Sequence, residues 1–438
     1  MEERIVLSSR EIQRSLVLQK VLERGLTLKT AAKLMKLGYR QAKRLLVRLR
    51  RDGPKGLAHR NRGRKAANAY DPKIRHKVLA LSHGRYAQFN DTHFVEMLAE
   101  REGLAISRET VRGWRREAGI KAKRQRRPPR HHKRRPRRPI MGLLAQWDGS
   151  PHPWFGSQHP PCCLLHAVDD ATNTVLGMLF RPQEDAIGYL RLLDMILRRH
   201  GIPVAIYQDR HAALFRTDTH WSHEEELAGI RFPTHVGRVL EEVGIKALAA
   251  LSPQAKGRIE RQGGTFQDRL VAELALAGIT DIEIANTWLE TTFIPRFNAR
   301  FAIAPQQSGS AFRPIKAADR YRLVAFAYQA VVANDNTVRL GRLTIDIPPG
   351  SPRRSYAHQK VLVRQHLDGA WTVWQEDVQL ARHAPTPLRE PWRGWKPREH
   401  GDDHRARHLI QIYLQTTPAP LEGDIFARQL GGHMLANF

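Results

Sequence analysis

Between residues 121 and 139 the chain carries lysine or arginine at eleven positions and proline at four, with no carboxylate. A block like this repels itself and offers nothing apolar to a core. It is expected to be a linker, extended in isolation, that follows a phosphate backbone or acts as a flexible tether. It therefore divides the chain into parts that fold on either side of it. Upstream, apolar residues recur at helical spacing. Downstream, they come in the short runs of strands.

The basic excess is not confined to the linker. Lys and Arg number 72 against 43 Asp and Glu, a formal charge of +29 over 438 residues. Charge that far from zero opposes compaction, and a polyanionic partner offsets it because each phosphate contact releases a counterion. The only cysteines, Cys162 and Cys163, are adjacent, which excludes a disulfide framework or a multi-cysteine zinc site. They are expected on a buried strand. No apolar run reaches membrane-spanning length and Met1-Glu2-Glu3-Arg4 is no signal peptide, so a soluble protein of a reducing compartment, without a membrane partner, is expected. The length allows two to four cores.

Upstream of the linker, Ile12, Leu16, Val17, Leu18, Val21 and Leu22 mark a first helix ended by Gly25. A short helix over 28–35, a turn at Gly38 and a basic helix over 40–49 follow, which is the order of a helix-turn-helix in residues 1–58. The third helix is expected to bury Ala42, Leu45, Leu46 and Leu49 and to present Arg40, Gln41, Lys43, Arg44 and Arg48 to a duplex. An ordinary three-helix bundle with a solvated basic face has the same pattern. A second helical unit of the same architecture is expected over 68–120. Ser107 would cap its last helix, and Arg108, Arg112 and Arg115 would meet DNA.

Downstream, runs at 143–147, 162–168 and 174–180 predict strands, the last two forming a hairpin about Asp169-Asp170-Ala171-Thr172-Asn173. An amphipathic helix over 186–197, strands at 204–208 and 245–249, and helices over 266–277 and 281–300 predict a mixed α/β sheet within residues 140–315. Short strands at 337–340, 343–347, 360–363 and 370–374 predict a small β-barrel over 335–384. A basic tail with Pro and Trp over 385–438 is expected to be loosely ordered, with one helix near 406–414.

Three carboxylates in this framework have the contexts of a metal-dependent phosphoryl-transfer site. Asp148 and Asp209 each end an apolar run. Glu260 follows Ser252-Pro253, a favoured helix start, so it is expected about two turns into its helix while Ile259, Phe266, Leu270 and Leu274 face the sheet. Such carboxylates can hold two divalent cations that clamp the attacking and leaving oxygens of a phosphodiester. Lys256, Arg258 and Arg261 flank the glutamate and are expected to hold phosphates. Asp169 and Asp170 read as turn formers, and Glu184 and Asp185 as acids at a helix start. His211 can orient a water or phosphate beside Asp209, or be purely structural.

The segments Gln146-Trp147-Asp148-Gly149-Ser150-Pro151-His152, Asp209-Arg210-His211 and Ser252-Pro253-Gln254-Ala255-Lys256-Gly257-Arg258-Ile259-Glu260-Arg261 resemble the catalytic core of insertion-sequence transposases with a retroviral-integrase-like domain, most nearly the ISNCY-type group. The resemblance extends over nearly the whole chain. It implies a ribonuclease-H-like core in which Asp148, Asp209 and Glu260 are a metal-binding DDE triad, using two Mg²⁺ ions or Mn²⁺ in their place. It further implies double-stranded DNA as partner, both element ends and target, and an assembly of at least a dimer in the bacterial cytoplasm, associated with the nucleoid. The interval from Asp209 to Glu260 is longer than in retroviral integrases, and an elaborated stretch near 217–242 accounts for the excess. Two other functions fit the same residues: a catalytically inactive helix-turn-helix regulator, and a nuclease of the same fold that cuts without joining.

Overall fold

The computed structural model describes residues 7–59, 69–123, 136–216, 223–229, 231–249, 257–341, 343–350 and 355–388. Most of the basic linker, Ser252, Pro253, Lys256 and nearly all of the tail, including the helix expected near 406–414, lie outside the described residues. The chain falls into two compact units, Met1–Val78 and Leu79–Phe438.

In the first unit α1 (Ser9–Leu22), α2 (Leu28–Leu34) and α3 (Tyr39–Asp52) enclose a core of Leu18, Leu45, Leu46, Leu49 and Leu57. Thr27 caps α2 by accepting from the Thr30 N–H. The face expected of α3 is the face observed: Ala42, Leu45, Leu46 and Leu49 are buried, Arg40, Gln41, Lys43 and Arg44 are exposed, and Arg48 is half-buried. The stripe expected on α1 is corrected. Leu18 is buried, whereas Ile12, Leu16 and Leu22 are exposed, because the core of this unit covers only one face of α1. Glu11 is buried instead. Its carboxylate completes a capping box with Ser8 and accepts from the His59 N–H.

The second unit holds α4 (Pro72–His83) from Leu79 onward, α5 (Asp91–Glu102) and α6 (Arg108–Glu117), with Asn90 and Ser107 as helix caps. Its central sheet has five strands in the order β3-β2-β1-β4-β5. The strands β1 (Ala145–His152), β2 (Cys162–Asp169) and β3 (Val175–Arg181) pair antiparallel with one another in turn; β4 (Ala205–Gln208) and β5 (Lys246–Ala249) run parallel to β1. The sheet is thus mixed, as expected.

Helices cover both faces, which is why β2 is buried along its whole length. On one face α7 (Ala186–Arg199) and α9 (His235–Val243) pack Leu190, Leu193, Val239 and Leu240 against Leu165 and Ala167. On the other, α10 (Gly257–Ala277) and α12 (Ile294–Phe301) pack Phe266, Leu270 and Phe297 against Leu164, Met178 and Phe180. Between these helices α11 (Ile282–Trp288) passes through one wide turn at Leu289–Phe293 into α12. The helix α8 (His223–Ala228) and α9 fill the stretch expected to be elaborated. Cys162 and Cys163 are free thiols on this buried strand; burial pushes their pKa up, to about 11 and about 12.

After α13 (Ala317–Leu323) the chain forms β6 (Ala325–Val331), β7 (Thr337–Leu340), β8 (Leu343–Asp346), β9 (Lys360–His366), β10 (Trp371–Gln375) and β11 (Val378–His383). The β-region therefore begins before residue 335, since β6 pairs with β9 over seven residues. These strands form a sheet in the order β11-β10-β9-β6 and a separate β7-β8 ladder; no pairing among the described residues closes them into a barrel. Phe326, Tyr328, Val363 and Val373 join the same core as α7 and α9. Arg238 and Arg364 converge on Glu242 in this join.

Candidate active site

Asp148 stands in the middle of β1, not at its end. The strand runs on through Gly149-Ser150-Pro151, past the apolar run 143–147, because β2 pairs with all eight residues of β1. On its other side β1 pairs with β4 only at Ala145 and Gln146, so Pro151 leaves no ladder bond unmade. Asp209 follows β4 directly. The parallel register sets Gln146 opposite Tyr207. Asp148 and Asp209 each lie two residues beyond this pair. Trp147 Nε1 donates to Gln208 Oε1 at 3.1 Å, a buried tie between the residues that precede the two aspartates. Both aspartates are half-buried. Asp209 Oδ1 accepts from the His211 N–H at 3.0 Å, so His211 sits beside Asp209 as expected from the sequence.

Glu184 is the residue that sequence reasoning missed. It was read as an acid of a helix start, and that role belongs to Asp185, whose carboxylate caps α7 by accepting from the Gly188 N–H. Glu184 Oε1 accepts from the Tyr189 hydroxyl at 2.6 Å and lies 3.5 Å from His211 Nδ1. Its carboxylate also covers Gly149, where an added Cβ would lie 2.2 Å from Glu184 Oε2. Burial, with the charges of Asp209 and Asp148, holds the Glu184 carboxyl above its ordinary range, against the opposing Tyr189 hydrogen bond and His211 charge. No sequence signal marks this, because residues 148, 184 and 209 meet only through the sheet and the start of α7.

Glu260 is exposed, in the first turn of α10 as described. The helix crosses the sheet face that carries Asp148. Gly263 faces the His166 ring, and His166 is the β2 partner of Asp148. Gln267 Nε2 donates to Ser150 Oγ at 3.0 Å. Ile259, Phe266, Leu270 and Leu274 are buried toward the sheet, as expected. Among the described residues no three His, Cys, Asp or Glu side chains come close enough to hold a metal ion. The donor chemistry nevertheless suits a hard cation. Asp148 and Asp209 are oxygen donors open to solvent, and a Mg²⁺ ion that keeps its waters needs only one or two carboxylates.

The basic residues expected to meet DNA divide into groups. Arg40, Gln41, Lys43, Arg44 and Arg261 are exposed. Arg108 and Arg112 are exposed and both pair with Glu109. Arg115 is a correction. It is 3% exposed, on the face of α6 that also buries Val111 one turn earlier. Its guanidinium binds Asp91 at 2.7 Å and the Phe89 carbonyl at 3.1 Å, so it is a core residue. Arg258 is likewise engaged inside, 2.5 Å from the buried Asp170. Asp170 also accepts from Gln146 Nε2 and from the Arg138 N–H. This makes Asp170 an anchor for the end of the basic linker as well as a turn former. Asp169 similarly binds Gly142 and Thr172.

A mixed sheet with helices on both faces, with Asp148 and Asp209 where its antiparallel half meets its parallel half, defines an α/β protein. No family profile matches the chain. It is 37% identical over 371 residues to the putative transposase y4bF of Sinorhizobium fredii (strain NBRC 101917 / NGR234), covering 84% of this chain and 79% of that protein. It is 30% identical over 395 residues to the transposase for insertion sequence IS1202 of Streptococcus pneumoniae, covering 82% of this chain and 83% of the relative. The chain belongs to the insertion-sequence transposases. Similar solved structures include a simian T-cell lymphotropic virus intasome in complex with PP2A regulatory subunit B56 gamma (TM-score 0.28, 13% identity, 71% of this chain and 99% of that one). Another is the HTLV-2 integrase catalytic core domain in complex with magnesium in its trimeric form (TM-score 0.24, 16% identity, 34% of this chain and 85% of that one). Likeness at these scores does not by itself define a fold.

Proposed function

We propose that this transposase binds the ends of its insertion sequence and carries out metal-dependent cleavage and strand transfer, using Asp148, Asp209 and Glu260 of a ribonuclease-H-like core. The observation that carries this is the β1–β4 register, which sets Gln146, two residues before Asp148, opposite Tyr207, two residues before Asp209. The order β3-β2-β1-β4-β5, and the passage of α10 over the Asp148 face, support the fold and the place of Glu260 in it.

Two bound Mg²⁺ ions, or Mn²⁺, would be held by the three carboxylates and would supply activation of the attacking oxygen and stabilisation of the leaving one. The chain's own part is to hold those carboxylates still. Asp148 is fixed by its ladder to β2, and Asp209 by the His211 N–H and the Trp147–Gln208 tie. Arg261 is left exposed beside Glu260 to take a phosphate. In the first unit, α3 serves as the recognition helix of a helix-turn-helix; α6 contributes Arg108 and Arg112 from a second such unit. Joining two element ends to a target requires at least a dimer on double-stranded DNA. The cytoplasm, at the nucleoid, is where such DNA is met. Among the described residues no helix is long and apolar enough to cross a membrane.

The test is incubation of the purified protein with Mg²⁺ and a labelled duplex carrying the terminal repeat of the element. Joined products are expected. Nicking without joining would identify a nuclease of the same fold, and binding without either would identify a regulator. For α3, replacing Arg40, Lys43 and Arg44 together by Ala is expected to weaken binding to all duplexes. It should also reduce the slope of log affinity against log salt by about one per phosphate contact removed. These side chains are exposed, so the helix stays folded; an unchanged slope would remove α3 from the DNA interface.

A further inference from the structure

Resting on the proposed reaction, we infer that Glu184 is a positioning residue that sets the geometry of Asp209 and Asp148 for the metal. Asp209 lies just past the end of β4. What holds its segment is local: the His211 N–H bonds Asp209 Oδ1, and the His211 ring in turn faces Glu184 across 3.5 Å. Glu184 is itself fixed from α7 by the 2.6 Å hydrogen bond from Tyr189. The Tyr189 ring packs on Trp147, the residue before Asp148, at 5.2 Å between centroids. The Glu184 carboxylate also fills the space above Gly149, the residue after Asp148. One side chain thus touches the backbone beside one aspartate and the loop of the other. A carboxylate so placed does for metal ligands what outer partners do in metal sites generally, where their loss costs about 10- to 100-fold in affinity or activity.

Two substitutions separate this role from packing. Glu184→Gln keeps the volume and an acceptor for Tyr189 but loses the charge facing His211. Gly149→Ala leaves Glu184 intact and drives its carboxylate away from the site. Mn²⁺ binding is read on the full-length protein alone by electron paramagnetic resonance, with melting temperature and duplex binding as controls. Both variants are expected to bind Mn²⁺ about 10- to 100-fold more weakly, with melting and duplex binding unchanged. Their Mg²⁺-dependent cleavage should be lost at limiting metal and partly restored at high metal. Wild-type Mn²⁺ affinity in both variants overturns the inference. A wild-type protein that binds Mn²⁺ but neither cuts nor joins DNA overturns the proposed reaction instead, and the two failures are distinguishable.

Discussion

Asp148→Asn is expected to lower both cleavage and joining of an element-end duplex by about 1,000-fold or more. A cation at such a centre supplies several kcal/mol of charge stabilisation, and about 1.4 kcal/mol corresponds to each factor of ten. Asparagine keeps the shape of the side chain, and β1 is held by pairing with β2 along its whole length, so folding and duplex binding should be unchanged. Asp209→Asn should behave in the same way. Glu260→Gln is the sharpest of the three, because Glu260 is exposed and α10 alone carries it toward the site. The measurement is single-turnover cleavage of a labelled terminal repeat, with binding followed on the same duplex. Any variant that retains wild-type turnover takes its residue out of the metal-holding set. Retention by Glu260→Gln alone would leave the two aspartates without their third partner.

The second large effect is on stability. Arg269 of α10 forms a two-pronged ion pair with Glu96 of α5, at 2.6 and 2.9 Å, with both side chains at most 10% exposed. Arg300 adds a third contact to Glu96 at 2.9 Å, and the Arg269 guanidinium lies over the Phe301 ring. Asn90 and Lys123 bind Asp268 on the same helix, and His93 and Arg296 reach Glu273. A cavity of ≈ 350 Å³ lies along this seam between α5, α10 and α12, lined by these charges and by Met97, Phe297 and Phe301. Arg269→Met leaves the buried Glu96 carboxylate stranded but for the exposed Arg300 and is expected to cost up to about 3–5 kcal/mol. Adding Glu96→Leu removes the stranded charge and should recover most of that loss. Denaturant titration of the three proteins reads both effects; a single variant within about 1 kcal/mol of wild type would show that the pair behaves like a surface bridge.

Much of this architecture was legible in the residues. The buried face of α3, the β2–β3 hairpin, the amphipathic α7 and the cap at Ser107 follow from periodicity and side-chain chemistry over a few neighbouring positions. The misplaced elements were those whose fate depends on a distant partner. β1 runs through Gly149-Ser150-Pro151 because β2 pairs there. Arg115 turns inward because Asp91 and the Phe89 carbonyl satisfy it. Ile12 and Leu16 stay exposed because the core of the first unit gathers on the other face of α1, at Leu18.

By itself, then, the sequence determined the helices and strands, the basic character that suits a nucleic-acid partner, and the two aspartates at β1 and β4. Local spacing and composition decide those things before any tertiary contact forms. Only the tertiary structure decided which carboxylates share a neighbourhood. The parallel pairing of β1 with β4 set the segments of Asp148 and Asp209 side by side, and the packing of α7 on the sheet brought Glu184 to Gly149 and His211, a neighbour of each. Contacts between residues so far apart in the chain are set by how whole elements bury their apolar faces, and no local pattern encodes them.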